Sequence, residues 1–188
     1  DVLRWILNQV RDPLVGLDIR GQLAALNVGR RRFLELIDRW GADTLRVVMN
    51  RSIGEAREKL KRRLRQLPDG AWRDVQYIDH DGHRDDIYQI ICTMTKEGDH
   101  LTFDFNGTSS NAHGLINSTY AGLEAGVLTA VYINLCWDIA WNRGVKDCLD
   151  IVSETGTVNN CAYPAPCAMA TISAVIVTID AVWRCLAR

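Results

Sequence analysis

The sequence predicts an α+β fold: an antiparallel β meander flanked by amphipathic and buried helices. Three observations carry this. Leu45, Met49, Ile53, Ala56, Leu60, Leu64 and Leu67 recur at steps of three and four, the period of a helix with one buried stripe. Between residues 72 and 105 the pattern changes to short, strand-like runs separated by turn signals. After residue 119 two long apolar segments follow, at 120–137 and 168–186.

Taken in order, Trp5, Ile6 and Val10 suggest a short helix ending near Pro13, because proline disfavours helix in the residue before it. Residues 15–38 carry Leu23, Leu26, Phe33, Leu34 and Ile37 and predict an amphipathic helix with Gly29 as a weak point. Gly41 ends it, and Asp43 is placed to cap the next helix. Pro68, Asp69 and Gly70 stop that one. Its last turns hold Arg57, Lys59, Lys61, Arg62, Arg63 and Arg65. No aromatic residues interleave with these cations, so they read as a solvated face suited to the negative end of the helix dipole rather than as a nucleic-acid patch.

Strands are predicted at 72–78, 87–95 and 101–105. The first turn gathers Asp79, His80, Asp81, His83, Asp85 and Asp86. Hairpin turns are often acidic and the two histidines have no helical spacing, so a solvated turn is expected over a metal site. In the third strand Leu101, Phe103 and Phe105 alternate with Thr102 and Asp104, which puts Asp104 on the polar side as a ligand, a base or a solvated carboxylate. Asn106 and Gly107 stop the strand, and residues 107–117 form a small, polar loop with amides and hydroxyls pointing outward.

Residues 120–137 predict a helix packed closely on a neighbour through Gly122, Ala125 and Gly126. Residues 149–152 predict a short strand, 156–159 a turn, and 163–166, with two prolines, an extended segment. Residues 168–186 read as an apolar helix, although their β-branched residues let a strand compete. Residues 1–70 thus form a helical segment and 71–188 the meander with its buried helices, expected as one continuous domain. A beginning without methionine that reads like a helix interior, and an uncapped end, suggest a piece of a longer polypeptide.

The 188 residues carry a formal net charge of −1 and are 47% hydrophobic. That balance argues against a general nucleic-acid or membrane-surface binder. Polar residues interrupt every apolar run before the roughly 18 residues of a membrane span. The six cysteines form no CxxC pair, which argues against structural zinc; Cys136 and Cys185 read as buried thiols in a reducing, cytosolic setting. Phosphate loops, HExxH and GxSxG are absent from the sequence. Ser109 and Ser110 with His113 offer a nucleophile and a base, but a few residues of loop do not fix that geometry.

Asn8, Arg11 and Pro13, followed by Asp18, Gln22, Ala24 and Ala25, resemble the "NxRxP…DLxAQxAA" segment of the hydantoinase B family. The resemblance continues in order through Gly29 to Arg32, Trp40 and Gly41, Leu67 to Gly70, and Asp81 with Gly82. It runs on through Asp104 to Ser109, Gly114 to Asn117, Asp138 to Asn142, and Gly156 to Asn159. Residues 163–166 look more like the carboxylase branch. Leu17, Gly21, His113 and Leu115 depart from the family pattern, and they bear on the loop's shape and on any anion contact at position 113.

The resemblance implies a cytoplasmic, ATP-dependent, multi-subunit enzyme that hydrolyses a cyclic amide or carboxylates a ketone. It implies a hydantoinase A-like partner that binds the nucleotide, a hetero-oligomer with room for a small third subunit, and a magnesium or manganese ion. The ATP and metal belong to the whole complex, and none is assigned to this stretch, because the family's metal segment precedes it. Such chemistry needs a dry site with donors aimed at oxyanions. On that basis Asp104 and Asn117 are the expected catalytic residues, and Asp18, Gln22, Ser109 and His113 the expected substrate-binding ones. The alternative is a non-catalytic assembly module that buries segments 120–137 and 168–186 against partner subunits.

Overall fold

The computed structural model describes residues 2–10 and 13–188. They fall into two compact units, residues 1–51 and 52–188. The first unit holds helix α1 (Val2–Val10), helix α2 (Pro13–Trp40) and the start of helix α3 (Ala42–Leu64). Leu7 of α1 rests on Gly16 of α2, where an added Cβ would lie 3.0 Å from its methyl. Gly41, at φ +80°, makes the break between α2 and α3. Because the turn is built by Gly41, α3 starts at Ala42; Asp43 falls inside the first turn and pairs with Arg46 at 2.5 Å instead of capping. Leu23, Leu26, Phe33 and Trp40 remain exposed along α2.

In the second unit a mixed sheet has the order β1 (Gly70–Ile78), β2 (Tyr88–Glu97), β3 (His100–Asp104) and β4 (Leu149–Val152). The first three strands are antiparallel, as expected, and β4 joins β3 in parallel. Period-two alternation sends Ile90, Cys92 and Met94 of β2, and Leu101 and Phe103 of β3, into the core with Phe105. Lys96 points the same way. It is buried because its Nζ donates to the Leu67 carbonyl at 2.7 Å and to Asp69 at 2.6 Å.

Helix α6 (Ala174–Leu186) covers this face, and helix α4 (Tyr120–Leu135) packs on α6. An added Cβ on Gly126 would lie 3.4 Å from Thr178 and from the Val175 carbonyl, so the two helices approach closely. The helix therefore prevails over a strand at 174–186: its buried side is Ala174, Thr178, Ala181, Val182 and Cys185, and Thr178 returns its hydroxyl to the Ala174 carbonyl at 2.7 Å. It begins later than the sequence suggests, after a 3₁₀ turn at Ala170–Ile172. Residues 163–166, expected to be extended, form a turn closed by Ala165 N donating to the Ala162 carbonyl at 2.9 Å; the Tyr163–Pro164 peptide is cis. A short helix α5 (Arg143–Lys146) interrupts the loop before β4, with Asn142 capping it through Gly144 N at 2.8 Å.

Four of the cations at the end of α3 have definite partners. Arg57 pairs with Asp147 at 2.5 Å and Arg63 with Asp138 at 2.9 Å, while Lys61 and Arg65 share Asp99. These ion pairs tie the helix end to three loops of the same unit. Among the described residues no helix is long and apolar enough to cross a membrane.

Candidate functional site

The N-terminal half of β2 runs past the end of β3, so residues 88–92 have no strand on that side. The polar loop fills the gap. Thr108 Oγ1 takes the Ile91 amide at 3.1 Å, and Ser109 Oγ takes the Gln89 amide at 3.0 Å while the Ser109 amide donates to the Gln89 carbonyl at 3.0 Å. On its other side the loop meets residues 156–161. Asn111 N donates to Gly156 O at 2.8 Å, Val158 N to Ser109 O at 2.9 Å, and Ser118 N to Val158 O at 2.8 Å. Hydroxyl side chains thus replace a strand's backbone groups and hold the segment to the sheet.

Two side chains set the loop's tip. Asn117 is fully buried; its Oδ1 accepts from Ala112 N at 2.7 Å, and its Nδ2 donates to the carbonyls of Ala112 and Gly114 at 3.0 Å and of Pro166 at 2.8 Å. Asp81 lies in the β1–β2 turn and is 2% exposed. Its carboxylate accepts from His83 N, Arg84 N and Tyr88 Oη, and from Gly114 N at 3.1 Å. The backbone amides, that of His83 foremost, hold the Asp81 carboxyl well below the usual range. Burial and the facing carboxylate push the Tyr88 phenol up to about 12. The solvated turn expected here is therefore corrected at Asp81, which is one of the most heavily hydrogen-bonded groups in the protein. Its aspartate-glycine signature shows the local turn; the Gly114 contact, 33 positions away, has no local signal.

The expected site residues divide by environment. Asn117 and Ser109 are engaged in holding the loop. Asp104 ends β3 half-buried, between Thr93 and Val152, with one oxygen accepting from Asn106 N at 2.9 Å. His113 is exposed at the tip, between the pinned residues Ala112 and Gly114, as is Ser110; Asn111 is half-buried. Among the described residues no hydrogen bond joins His113 to Ser109 or Ser110, so the two do not form a nucleophile–base pair. Asp18 and Gln22, one turn apart on α2, are both exposed and belong to the first unit.

At the opposite end of the sheet Trp72, Met94, Leu101, Leu135 and Cys185 line a mostly apolar cavity of about 240 Å³, with Lys96 in its wall. Among the described residues no three His, Cys, Asp or Glu side chains come together as metal ligands. The donor set of the described residues therefore does not itself fit a metal centre.

The hydantoinase B/oxoprolinase family profile matches residues 1–188. This chain belongs to the hydantoinase B/oxoprolinase family. It is 27% identical to the caprolactamase subunit beta of Pseudomonas jessenii, over 95% of this chain and 33% of that protein. It is 24% identical to the acetophenone carboxylase delta subunit of Aromatoleum aromaticum, over 88% of this chain and 24% of that protein. The fold superposes on the crystal structure of the ATP-dependent caprolactamase from Pseudomonas jessenii with a TM-score of 0.84 at 25% identity, covering 99% of this chain and 32% of that one. An acetone carboxylase structure shares the fold, with a TM-score of 0.79 at 20% identity over 90% of this chain and 24% of that one. The chain thus spans about a third or less of the length of these family members.

Proposed function

We propose that this stretch is part of the B-type subunit of an ATP-dependent, cytoplasmic, multi-subunit enzyme that opens a cyclic amide or carboxylates a ketone. The reading is supported by the family match over the whole chain, together with relatives named as caprolactamase and carboxylase subunits. ATP, a magnesium or manganese ion and a hydantoinase A-like partner belong to that complex as a whole. The observation that carries the site is a polar loop whose backbone is pinned on both sides while Ser110 and His113 stay exposed.

Both reactions build negative charge on a carbonyl-derived oxygen, and fixed donors stabilise such charge because they need not reorient. Asn111 and His113 are the loop's candidate donors. Among the described residues only Oδ1 of Asp104 takes a hydrogen bond, from Asn106 N, and Asp104 is the candidate base or ligand. Asn117 and Ser109 act by fixing the loop, and Asp18 and Gln22 are substrate contacts on α2.

The test is reconstitution of the full-length subunit with an A-like partner, followed by ATP turnover against hydantoins, lactams and ketones. Asp104→Ala, Asn111→Ala and His113→Ala are expected to cut product formation by about tenfold or more with assembly intact. Unchanged turnover in all three would remove the loop from the site.

A second reading is an assembly module. Segments 120–137 and 168–186 pack on each other, and α6 on the sheet, while Ile133, Trp137, Ile172 and Ile176 stay exposed for a partner. Leu23, Leu26, Phe33 and Trp40 of α2, spaced three, seven and seven residues apart, present a second exposed apolar line. Leu26→Glu with Phe33→Glu should then abolish co-purification with the partner; retained assembly and turnover would dismiss it.

A further inference from the structure

We infer that Asp81 is a positioning residue for the loop, fixing the Gly114 amide and through it the orientation of His113. The inference rests on the loop reading above and adds a residue to it. Asp81 sits in a different hairpin from the loop. Its Oδ1 is occupied by the amides of His83 and Arg84, both at 2.8 Å, which close the turn on itself. Its Oδ2 is shared by Tyr88 Oη at 2.9 Å and Gly114 N at 3.1 Å. The first pair orients the carboxylate from below, and the second delivers it to the loop.

The loop accepts this contact only because residue 114 is glycine. A Cβ there would lie 1.7 Å from the Asp81 carbonyl oxygen and 2.6 Å from its carbonyl carbon. Backbone meets backbone at that point, so the turn cannot yield by rotating a side chain. Asn117 clasps Ala112 through its amide and carbonyl, and Gly114 through its carbonyl. Asp81 supplies the missing hold on the Gly114 amide. His113 is thereby left as an exposed side chain between two fixed peptide units.

The charge, and not only the shape, is required. All four partners of the Asp81 carboxylate are donors. An asparagine of the same size must turn its NH₂ toward one pair of them, so it either opens the turn or releases Gly114. The contact also explains why Tyr88 is inward and buried at the start of β2, where its phenol has one partner.

The experiment is a double-mutant cycle in the reconstituted, full-length complex with the substrate it turns over. Asp81→Asn and Gly114→Ala should each lower kcat by about tenfold with KM changed less, since donors aimed at charge that develops in the transition state become misplaced. The double variant should be no worse than the poorer single one, because both break one contact. The conservative Tyr88→Phe, which leaves Gly114 its acceptor, should keep kcat within about threefold. In the unmodified protein the Gly114 amide should exchange with deuterium far more slowly than the exposed His113 amide.

The inference is overturned by a kcat within twofold in assembled Asp81→Asn protein, by singly measured effects that multiply in the double variant, or by fast exchange at Gly114. That last measurement stands even if the substituted proteins do not fold. Loss of activity in Asn111→Ala or His113→Ala with normal Asp81→Asn kinetics would sink the inference and leave the loop reading intact. Normal kinetics in all of them would end both.

Discussion

The Asn117 side-chain amide donates to the Pro166 carbonyl at 2.8 Å, joining two loops 49 positions apart. With its other contacts this makes Asn117 a four-way clasp inside the protein: one backbone donor and three backbone acceptors converge on a single carboxamide. The segment that the sequence shows as a soft, polar bend is held from its inner side, and its chemistry faces out.

Asn117→Ala should therefore destabilise the fold by about 3 kcal/mol, because buried amide and carbonyl groups lose their partners at once. Asn117→Asp keeps the acceptor for Ala112 N but sets a carboxylate against three carbonyl oxygens. Its folded pKa must rise above the unfolded value, so this variant should regain stability as pH falls toward 4, opposite to the parent. Urea unfolding midpoints of the two variants at pH 7 and pH 4.5 check both statements.

Two glycines separate by what surrounds them. At Gly126 a Cβ makes ordinary 3.4 Å contacts with Thr178 and the Val175 carbonyl, so Gly126→Ala should stabilise α4 by about 0.5–1 kcal/mol through helix propensity. At Gly144 a Cβ would lie 2.1 Å from the Ile53 carbonyl oxygen and 2.9 Å from Arg57 N, both backbone atoms of α3. Gly144→Ala should cost about 2 kcal/mol or more, since the α5 cap at Asn142 cannot move away without releasing its bond to Ser52. Thermal denaturation of the two variants side by side is the measurement, and a shared sign would refute the packing described here.

The thiols divide in the same way. Cys92, Cys136, Cys148 and Cys185 are at most 1% exposed, and burial pushes Cys136 up to about 12 and Cys148 up to about 11. Cys167 is exposed and Cys161 half-buried. An aromatic disulfide reagent at pH 8 should titrate Cys167 quickly and Cys161 more slowly in the native protein, with the other four reacting only after unfolding. Rapid modification of Cys148 would show that α5 opens readily.

Periodicity is a local property, and it made the local features legible. The stripe on α3, the alternation of Leu101, Phe103 and Phe105, and the turn at Asp81 and Gly82 all follow from spacing within a few residues. What the spacing did not reveal were contacts made across the chain. Asp81 reads as one more acid in a polar turn until Gly114 is brought to it, and nothing in the local spacing marks Lys96 for burial by Leu67 and Asp69. The cations of α3 look like a solvated run because their partners Asp99, Asp138 and Asp147 lie far along the sequence. For the site, polarity identified the right loop. It did not say which side chains hold the loop and which it presents, since Ser109 and Asn111 look alike until Gln89 claims one of them.

Acid should weaken the second unit through the same long-range pairs. Hydrogen bonds hold five carboxyls below their ordinary value of 3.8: Asp69 through Lys96, Asp81 through the His83 amide, Asp99 through Arg65, Asp138 through Arg63 and Asp147 through Arg57. For each, the folded pKa lies below the unfolded one. Their stabilisation is thus complete above about pH 5 and is lost as pH falls through the folded values. Screening makes the exposed pairs weak individually. Asp81 differs, because its partners are backbone amides and a phenol in a nearly closed site. Between pH 5 and pH 3 the urea midpoint should fall steadily, and 0.5 M salt should reduce the part due to Asp99, Asp138 and Asp147. Asp81→Asn should be less stable at pH 7 and show a shallower decline, since a carboxyl held low in the fold is gone. An Asp81→Asn protein that declines as steeply as the parent would mean that Asp81 does not carry its charge in the fold.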